Sequence, residues 1–167
     1  MVGRIPILDV TPQLEGGAYP AKAAVGEAFE VTALVIREGH DALAAEVVLV
    51  DPKGKRRPPQ PMRRTPGNVD RWRATVSADT EGPWQFEVHG WGDPVATWHH
   101  HAEVKVPAGI DVELVFTEGA LLMERVAETL HDADERRRVL DTVKAMRDTS
   151  RPVEARLAAG GGADRPG

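Results

Sequence analysis

The apolar residues of this chain change their spacing near residue 107. Before it, short runs alternate with period two and are separated by Gly and Pro. After it, apolar residues recur at helical spacing. The first run, Ile5–Val10, ends at Thr11-Pro12, and its proline suits an edge strand. Ala28–Arg37 places Phe29, Val31, Ala33 and Val35 on one face, and Glu38-Gly39-His40-Asp41 reads as a turn. Glu46–Val50 is apolar on both faces, the pattern of a central strand, and stops at Asp51-Pro52. Residues 53–68 form a long loop rich in Pro and Arg. Arg71–Ser77 and Trp84–His89 alternate around Glu81-Gly82 and predict a hairpin. Val95–Val106, with Trp98, His100, Ala102, Val104 and Val106 on one face, predicts a closing strand. Six such strands with regular turn signals indicate an antiparallel sandwich over residues 1–109.

Residues 110–159 read as a helical segment of two or three helices. Positions 115, 119, 122, 126 and 130 make a stripe along the first. Gly119 weakens it, since an interior glycine costs about 1 kcal/mol against alanine. Its opening, Asp111–Phe116, also alternates as a strand would. Asp132 followed by Glu135 marks a capped start for the second helix, which buries Val139, Val143 and Met146. The third begins after Ser150, with Pro152 in its first turn and Val153 and Leu157 on one side. Residues 160–167, opening with three glycines, are expected to fray. Most helical stability comes from burying an apolar stripe. The sandwich or a second copy of the chain is the expected cover.

Composition narrows the class. Hydrophobic residues make up 41% of the chain, enough for a core. The net charge of −5 disfavours nucleic acid and anionic membrane as partners. There are no cysteines, and Met1-Val2-Gly3-Arg4-Ile5-Pro6 lacks an apolar signal region, so a cytoplasmic protein is expected. No apolar run approaches the roughly 20 residues of a membrane-spanning helix.

Candidate chemistry is sparse. In a strand, His99 and His101 share a face that His100 does not, but no Cys and no convincing further ligand accompanies them, so no metal site is assigned. Asp41, Asp51, Asp70, Asp79 and Asp93 fall at turns, where Asp bonds the local backbone. No paired carboxylates of a glycosidase type are evident. Trp72, Trp84 and Trp98 lie on inward faces. Trp91, in the loop 90–94, is the one weak candidate for stacking on glycan. Lys53, Lys55, Arg56, Arg57, Arg63 and Arg64 make a basic loop without interleaved aromatics, a solvated surface rather than a single-strand nucleic-acid site. There is no phosphate-binding glycine loop, no nucleophile elbow and no cofactor motif.

Several segments, taken in order, carry a resemblance. They are Val2-Gly3-Arg4-Ile5-Pro6-Ile7, Pro20-Ala21-Lys22-Ala23-Ala24-Val25-Gly26-Glu27, Val35-Ile36-Arg37-Glu38-Gly39-His40-Asp41 and Asp70-Arg71-Trp72. Asp93-Pro94-Val95-Ala96-Thr97-Trp98 and Pro107-Ala108-Gly109-Ile110-Asp111 complete the set. From about residue 2 to about residue 157 the chain resembles the N-terminal region of bacterial α-1,4-glucan:maltose-1-phosphate maltosyltransferases. The resemblance implies an immunoglobulin-like sandwich with a helical insertion, both serving a homodimer interface. It implies that chemistry resides in a following (β/α)₈ barrel of the α-amylase-like class, which takes some 250 residues. No catalytic residue can therefore be carried over, and the chain is expected to be inactive alone. It is expected to be a fragment whose sandwich edge is open and which tends to associate. A free-standing module binding α-glucan is the alternative.

Overall fold

The computed structural model describes residues 5–37, 39 and 41–161, and the chain divides into two units between Gly92 and Asp93. The turn expected at Glu38–Asp41 rests partly on Glu38 and His40, which lie outside the described residues. The same holds for residues 1–4 and for 162–167 of the expected tail.

Seven strands build the first unit: β1 (Ile7–Thr11), β2 (Ala28–Val35), β3 (Leu43–Val50), β4 (Gln60–Pro61), β5 (Arg63–Thr65), β6 (Asn68–Ser77) and β7 (Gln85–Gly92). They form two antiparallel sheets, ordered β1-β2-β6-β5 and β4-β3-β7. Alternation decides what each strand buries. Val31, Ala33 and Val35 from β2, Trp72 and Val76 from β6, and Ala45, Val47 and Leu49 from β3 meet in one core, so the sheets face each other as a sandwich. Each Val or Leu buried there contributes about 1.5–3 kcal/mol. β1 is an edge strand and β3 is central, as the pattern predicts.

The expected hairpin between residues 71 and 89 does not form. β6 joins the four-stranded sheet and β7 pairs with β3 in the other, so the chain crosses between sheets there. Two alternating runs separated by a short loop look the same in either case. The tight hairpin lies instead within the expected loop 53–68: β5 and β6 are joined through Pro66-Gly67, where Gly67 takes φ 78.

The second unit is helical: α1 (Pro94–Lys105), α2 (Val112–Thr129), α3 (Ala133–Arg147) and α4 (Val153–Gly161). The closing strand predicted over Val95–Val106 is therefore α1, and the sandwich ends at Gly92 rather than at 109. Trp98, Ala102 and Val106 satisfy both periods, because a spacing of four is even and is also one helical turn. The start decides: Pro94 occupies the first turn and the Asp93 carboxylate accepts the Ala96 N–H at 2.9 Å. His100 and Val104, which a strand would have turned inward, are exposed. Asp111–Phe116 does not form a strand, since α2 takes it up from Val112 onward. Asp132 caps α3 through the Glu135 N–H at 2.8 Å, as its sequence predicts. α4 runs on through Gly160 and Gly161, so the expected tail does not begin at 160; beyond residue 110 the described residues hold three helices, α2, α3 and α4, within the number expected there, and α1 is additional to them.

One residue organises the helical core. Trp98 of α1 donates its indole N–H to the Val115 carbonyl at 2.8 Å and packs with Val115, Phe116, Met123, Val143 and Met146. An alanine Cβ at Gly119 would sit 2.3 Å from the indole, and one at Gly160 would sit 2.6 Å from it. The two glycines from α2 and α4 thus make the slot that the ring fills.

Candidate functional site

The sandwich carries a cleft of about 750 Å³ beside β7. One wall is the loop from Pro12 to Ala23, the other is Gly82 to Glu87, and Phe29 and Leu49 form the floor. The first wall bears Gln13, Tyr19 and Lys22. Tyr19, the only tyrosine of the chain, is 60% exposed. On the second wall Trp84 is fixed: its N–H donates to the Thr80 carbonyl at 2.8 Å and the Arg57 guanidinium lies 5.3 Å from its ring. Arg57 is held in turn by Asp79 at 3.0 Å. The cleft's size suits a ligand or a peptide segment. Its floor is the half-buried rim of the core. Sequence reading missed it because Tyr19 sits in a Gly- and Pro-rich loop with no periodicity; a lone aromatic in such a loop was the available signal.

Trp91 is not in a loop. β7 extends through Gly92, and Trp91 stands opposite Ala44 of β3, 44% exposed. Along β7 the core takes Phe86 and Val88, so alternation puts Trp91 on the outer face with Glu87 and His89. Glu87 of that face also lines the cleft, whereas Trp91 does not. His89 reaches Glu46 at 3.2 Å and Glu87 at 3.0 Å, and Arg56 also binds Glu87 at 2.9 Å. On helix α1, His99 and His101 no longer share a face, because residues two apart on a helix diverge. His99 lies instead 3.5 Å from Glu103, one turn on. Among the described residues no three His, Asp or Glu side chains converge on a metal position.

The aspartates do local work. Asp51 accepts the N–H groups of Lys53 and Lys55, both at 2.9 Å, and Asp41 pairs with Arg37 at 2.8 Å. Asp70 lies within β6 rather than at a turn. The Lys55 N–H, assisted by the Lys53 N–H and the Arg57 charge and opposed by partial desolvation, holds the Asp51 carboxyl below its ordinary value. Asp148 is lowered too, first by the Ser150 hydroxyl. A general acid needs the opposite shift. The basic loop is likewise engaged: Arg56 and Arg57 are ion-paired, and Arg64 lies 5.2 Å from the Trp72 ring.

The helical unit contains one buried charge that sequence reading did not find. Arg156 of α4 is 3% exposed. Its two terminal nitrogens bind the Glu113 carboxylate at 2.6 and 2.9 Å, its Nε donates to the Met146 carbonyl at 2.8 Å, and its guanidinium lies 4.1 Å from the Phe116 ring. The arginine hydrogen bond, against some desolvation, holds Glu113 below its ordinary value, and the same bond raises Arg156. This ties α4 to α2 and α3.

Residues 3–164 match the family described as α-1,4-glucan:maltose-1-phosphate maltosyltransferase, domain N/S. The chain is 54% identical over 159 residues to α-1,4-glucan:maltose-1-phosphate maltosyltransferase 1 of Streptomyces coelicolor. It is 51% identical over 158 residues to maltosyltransferase 2 of the same organism, and 42% identical over 159 residues to the enzyme of that name from Arcanobacterium haemolyticum. Each match covers 95% of this chain. The chain spans about a quarter of the length of these relatives, 24%, 24% and 23% respectively.

Proposed function

Because the chain belongs to the N/S-domain family of the α-1,4-glucan:maltose-1-phosphate maltosyltransferases, we propose that it is a non-catalytic part of an enzyme that extends α-1,4-glucan. In that reaction the maltosyl group passes from maltose 1-phosphate to a hydroxyl of the growing glucan and inorganic phosphate leaves. The observation that carries the reading is the match over residues 3–164, supported by relatives up to 54% identical. The shifted carboxylates fit a supporting role, since Asp51 and Asp148 bond their own turns, Glu113 pairs with Arg156, and all three move down. The carboxylates that act on the sugar belong to a catalytic barrel elsewhere in the enzyme, which works in the cytoplasm.

The part played by this region is assembly: it dimerises and positions the barrel. Exposed Leu114 and Leu121 recur at i, i+7 on α2, with Val104 and Ile110 also exposed in that unit. Phosphate release from maltose 1-phosphate, measured with the complete gene product and with this chain alone, tests the assignment. Turnover by the former only is expected; no turnover by the complete product overturns it. Sedimentation at several concentrations tests assembly. A concentration-dependent dimer lost in the double variant Leu114→Glu, Leu121→Glu is expected, and a monomer throughout sinks this role. A second reading, an α-glucan-binding module, draws on the exposed Trp91. Calorimetric titration with maltoheptaose decides it: heat abolished by Trp91→Ala supports glucan binding, and no heat removes it.

A further inference from the structure

The four helices of the second unit are not anchored alike. α1, α2 and α3 bury apolar side chains: Trp98 and Ala102, then Val115, Phe116 and Met123, then Val143 and Met146. α4 buries one side chain and one glycine, and that side chain is Arg156. Its apolar residues Val153 and Leu157 are half-buried against the core, and Glu154, Ala155 and Ala158 are exposed. A helix of nine residues is too short to hold itself together in water and depends on what it packs against. α4 therefore depends on an arginine.

That arginine is buried and its charged partner is not. Arg156 is 3% exposed, whereas the Glu113 side chain that binds its terminal nitrogens is 65% exposed. With the Met146 carbonyl and the Phe116 ring, this one side chain fastens α4 to both α2 and α3. The nature of the anchor sets what opening costs. A buried leucine that leaves a core loses its burial and gains nothing from water. A guanidinium that leaves regains its hydration, which offsets much of the lost pairing. A closed α4 without the Glu113 charge would instead hold an unpaired cation in the core. Closure thus turns on one carboxylate that solvent already reaches.

The segment before α4 suits a pivot. Asp148 accepts the Ser150 N–H at 3.0 Å and the Ser150 hydroxyl at 2.5 Å, and its carbonyl accepts the Arg151 N–H at 3.1 Å. These bonds lie within residues 148–151 and do not need α4 in place. At its far end α4 covers one spot of the core: a Cβ at Gly160 would sit 2.6 Å from the Trp98 ring and 3.6 Å from the Met146 Sδ.

We propose that α4 is a latched strap: it swings off the core of α1, α2 and α3 as one unit about the turn at 148–152, with Glu113–Arg156 as the latch, and uncovers the far edge of Trp98 and the Met146 thioether. The other helices stay folded while it does so, because the Trp98 indole N–H is bonded to the Val115 carbonyl and Phe116, Met123 and Val143 complete that core from α2 and α3. The inference concerns the helical unit alone and is independent of the family assignment.

Native-state amide hydrogen exchange on this chain, read residue by residue, tests it. Leu157, Ala158, Ala159 and Gly160 donate within α4. They are expected to share one protection factor, lower by about tenfold or more than those of Leu122 and Met123 in α2 and Ala145 and Met146 in α3. Glu113→Gln keeps the shape and removes the charge. It is expected to lower α4 protection by a further factor of about ten or more and to leave the centres of α2 and α3 unchanged. Glu113→Asp, which keeps the charge on a shorter arm, should fall between. If α4 in the unaltered chain is as protected as the centre of α2, the strap is overturned, since α4 then opens only with the whole unit. If Glu113→Gln leaves α4 exchange unchanged, or lowers protection equally in α2, α3 and α4, the latch is overturned. The unaltered chain decides the first point by itself, so the test stands even where the variant does not fold.

Discussion

Replacing Gly119 by alanine sets two effects of opposite sign against each other. In a helix interior, Gly→Ala ordinarily stabilises by about 1 kcal/mol. Here the added Cβ would lie 2.3 Å from Cε2 and Cζ2 of Trp98 and 2.5 Å from Cε of Met146. Favourable carbon contacts lie near 3.5–4.0 Å. The methionine end can swing aside. The indole cannot, because its N–H is bonded to the Val115 carbonyl at 2.8 Å and its far edge abuts Gly160. Overpacking a tight core costs about 1–3 kcal/mol, and a ring pinned on two sides belongs at the upper end. The net expectation is a loss of about 2 kcal/mol, or a melting temperature lower by about 10 °C for a unit of this size. Thermal melts followed by circular dichroism at the helix band read it directly. A melting temperature that rises in Gly119→Ala refutes the reasoning. So does strict additivity with Trp98→Phe, because a smaller ring relieves the overlap and the pair must couple favourably.

Arg156→Leu is expected to lower helical stability by about 2 kcal/mol, since the Met146 carbonyl loses its buried donor, with Arg156→Lys intermediate; urea unfolding at the helix band checks both. Glu113 gives the acid limb: its folded pKa is lowered from 4.5 by the Arg156 hydrogen bond, so its contribution is present in full above pH 4.5 and is lost as pH falls through the folded value. The urea midpoint should stay flat towards pH 5 and fall below 4.5, and Glu113→Gln should weaken that fall. Asp93→Ala removes the acceptor of the Ala96 N–H and is expected to cost about 1 kcal/mol, read in the same denaturation series.

What the sequence disclosed follows the distance over which each cause acts. Alternation is local, so β2, β3 and β6 appear close to their expected places, and the Asp132 cap of α3 is visible as two residues at fixed spacing. Partner choice is not local. Whether β7 returns to β6 or crosses to β3 depends on which face meets which core, and the alternation of 84–89 is silent on that. The error at Val95–Val106 has a different origin: Trp98, Ala102 and Val106 fit both periods, and the deciding signal was Asp93-Pro94, a helix start read as part of a loop. Trp91 shared that misplacement, since a loop drawn from Gly90 cut β7 short. Arg156 was hidden because a buried arginine looks like any other in sequence; only the convergence of Glu113, Phe116 and the Met146 carbonyl, from elements far apart in the chain, distinguishes it.

Glycine carries opposite meanings in the two units. In the helical unit, Gly119 and Gly160 close the packing: they let Trp98 sit directly against α2 and α4 within the core. In the sandwich, a Cβ at Gly90 would meet Val35 at 3.0 Å, so this glycine keeps β7 close to the opposite sheet, yet its own peptide group faces the open edge. A substitution that damages the helical unit should therefore act through sterics and leave no ligand-sensitive signature.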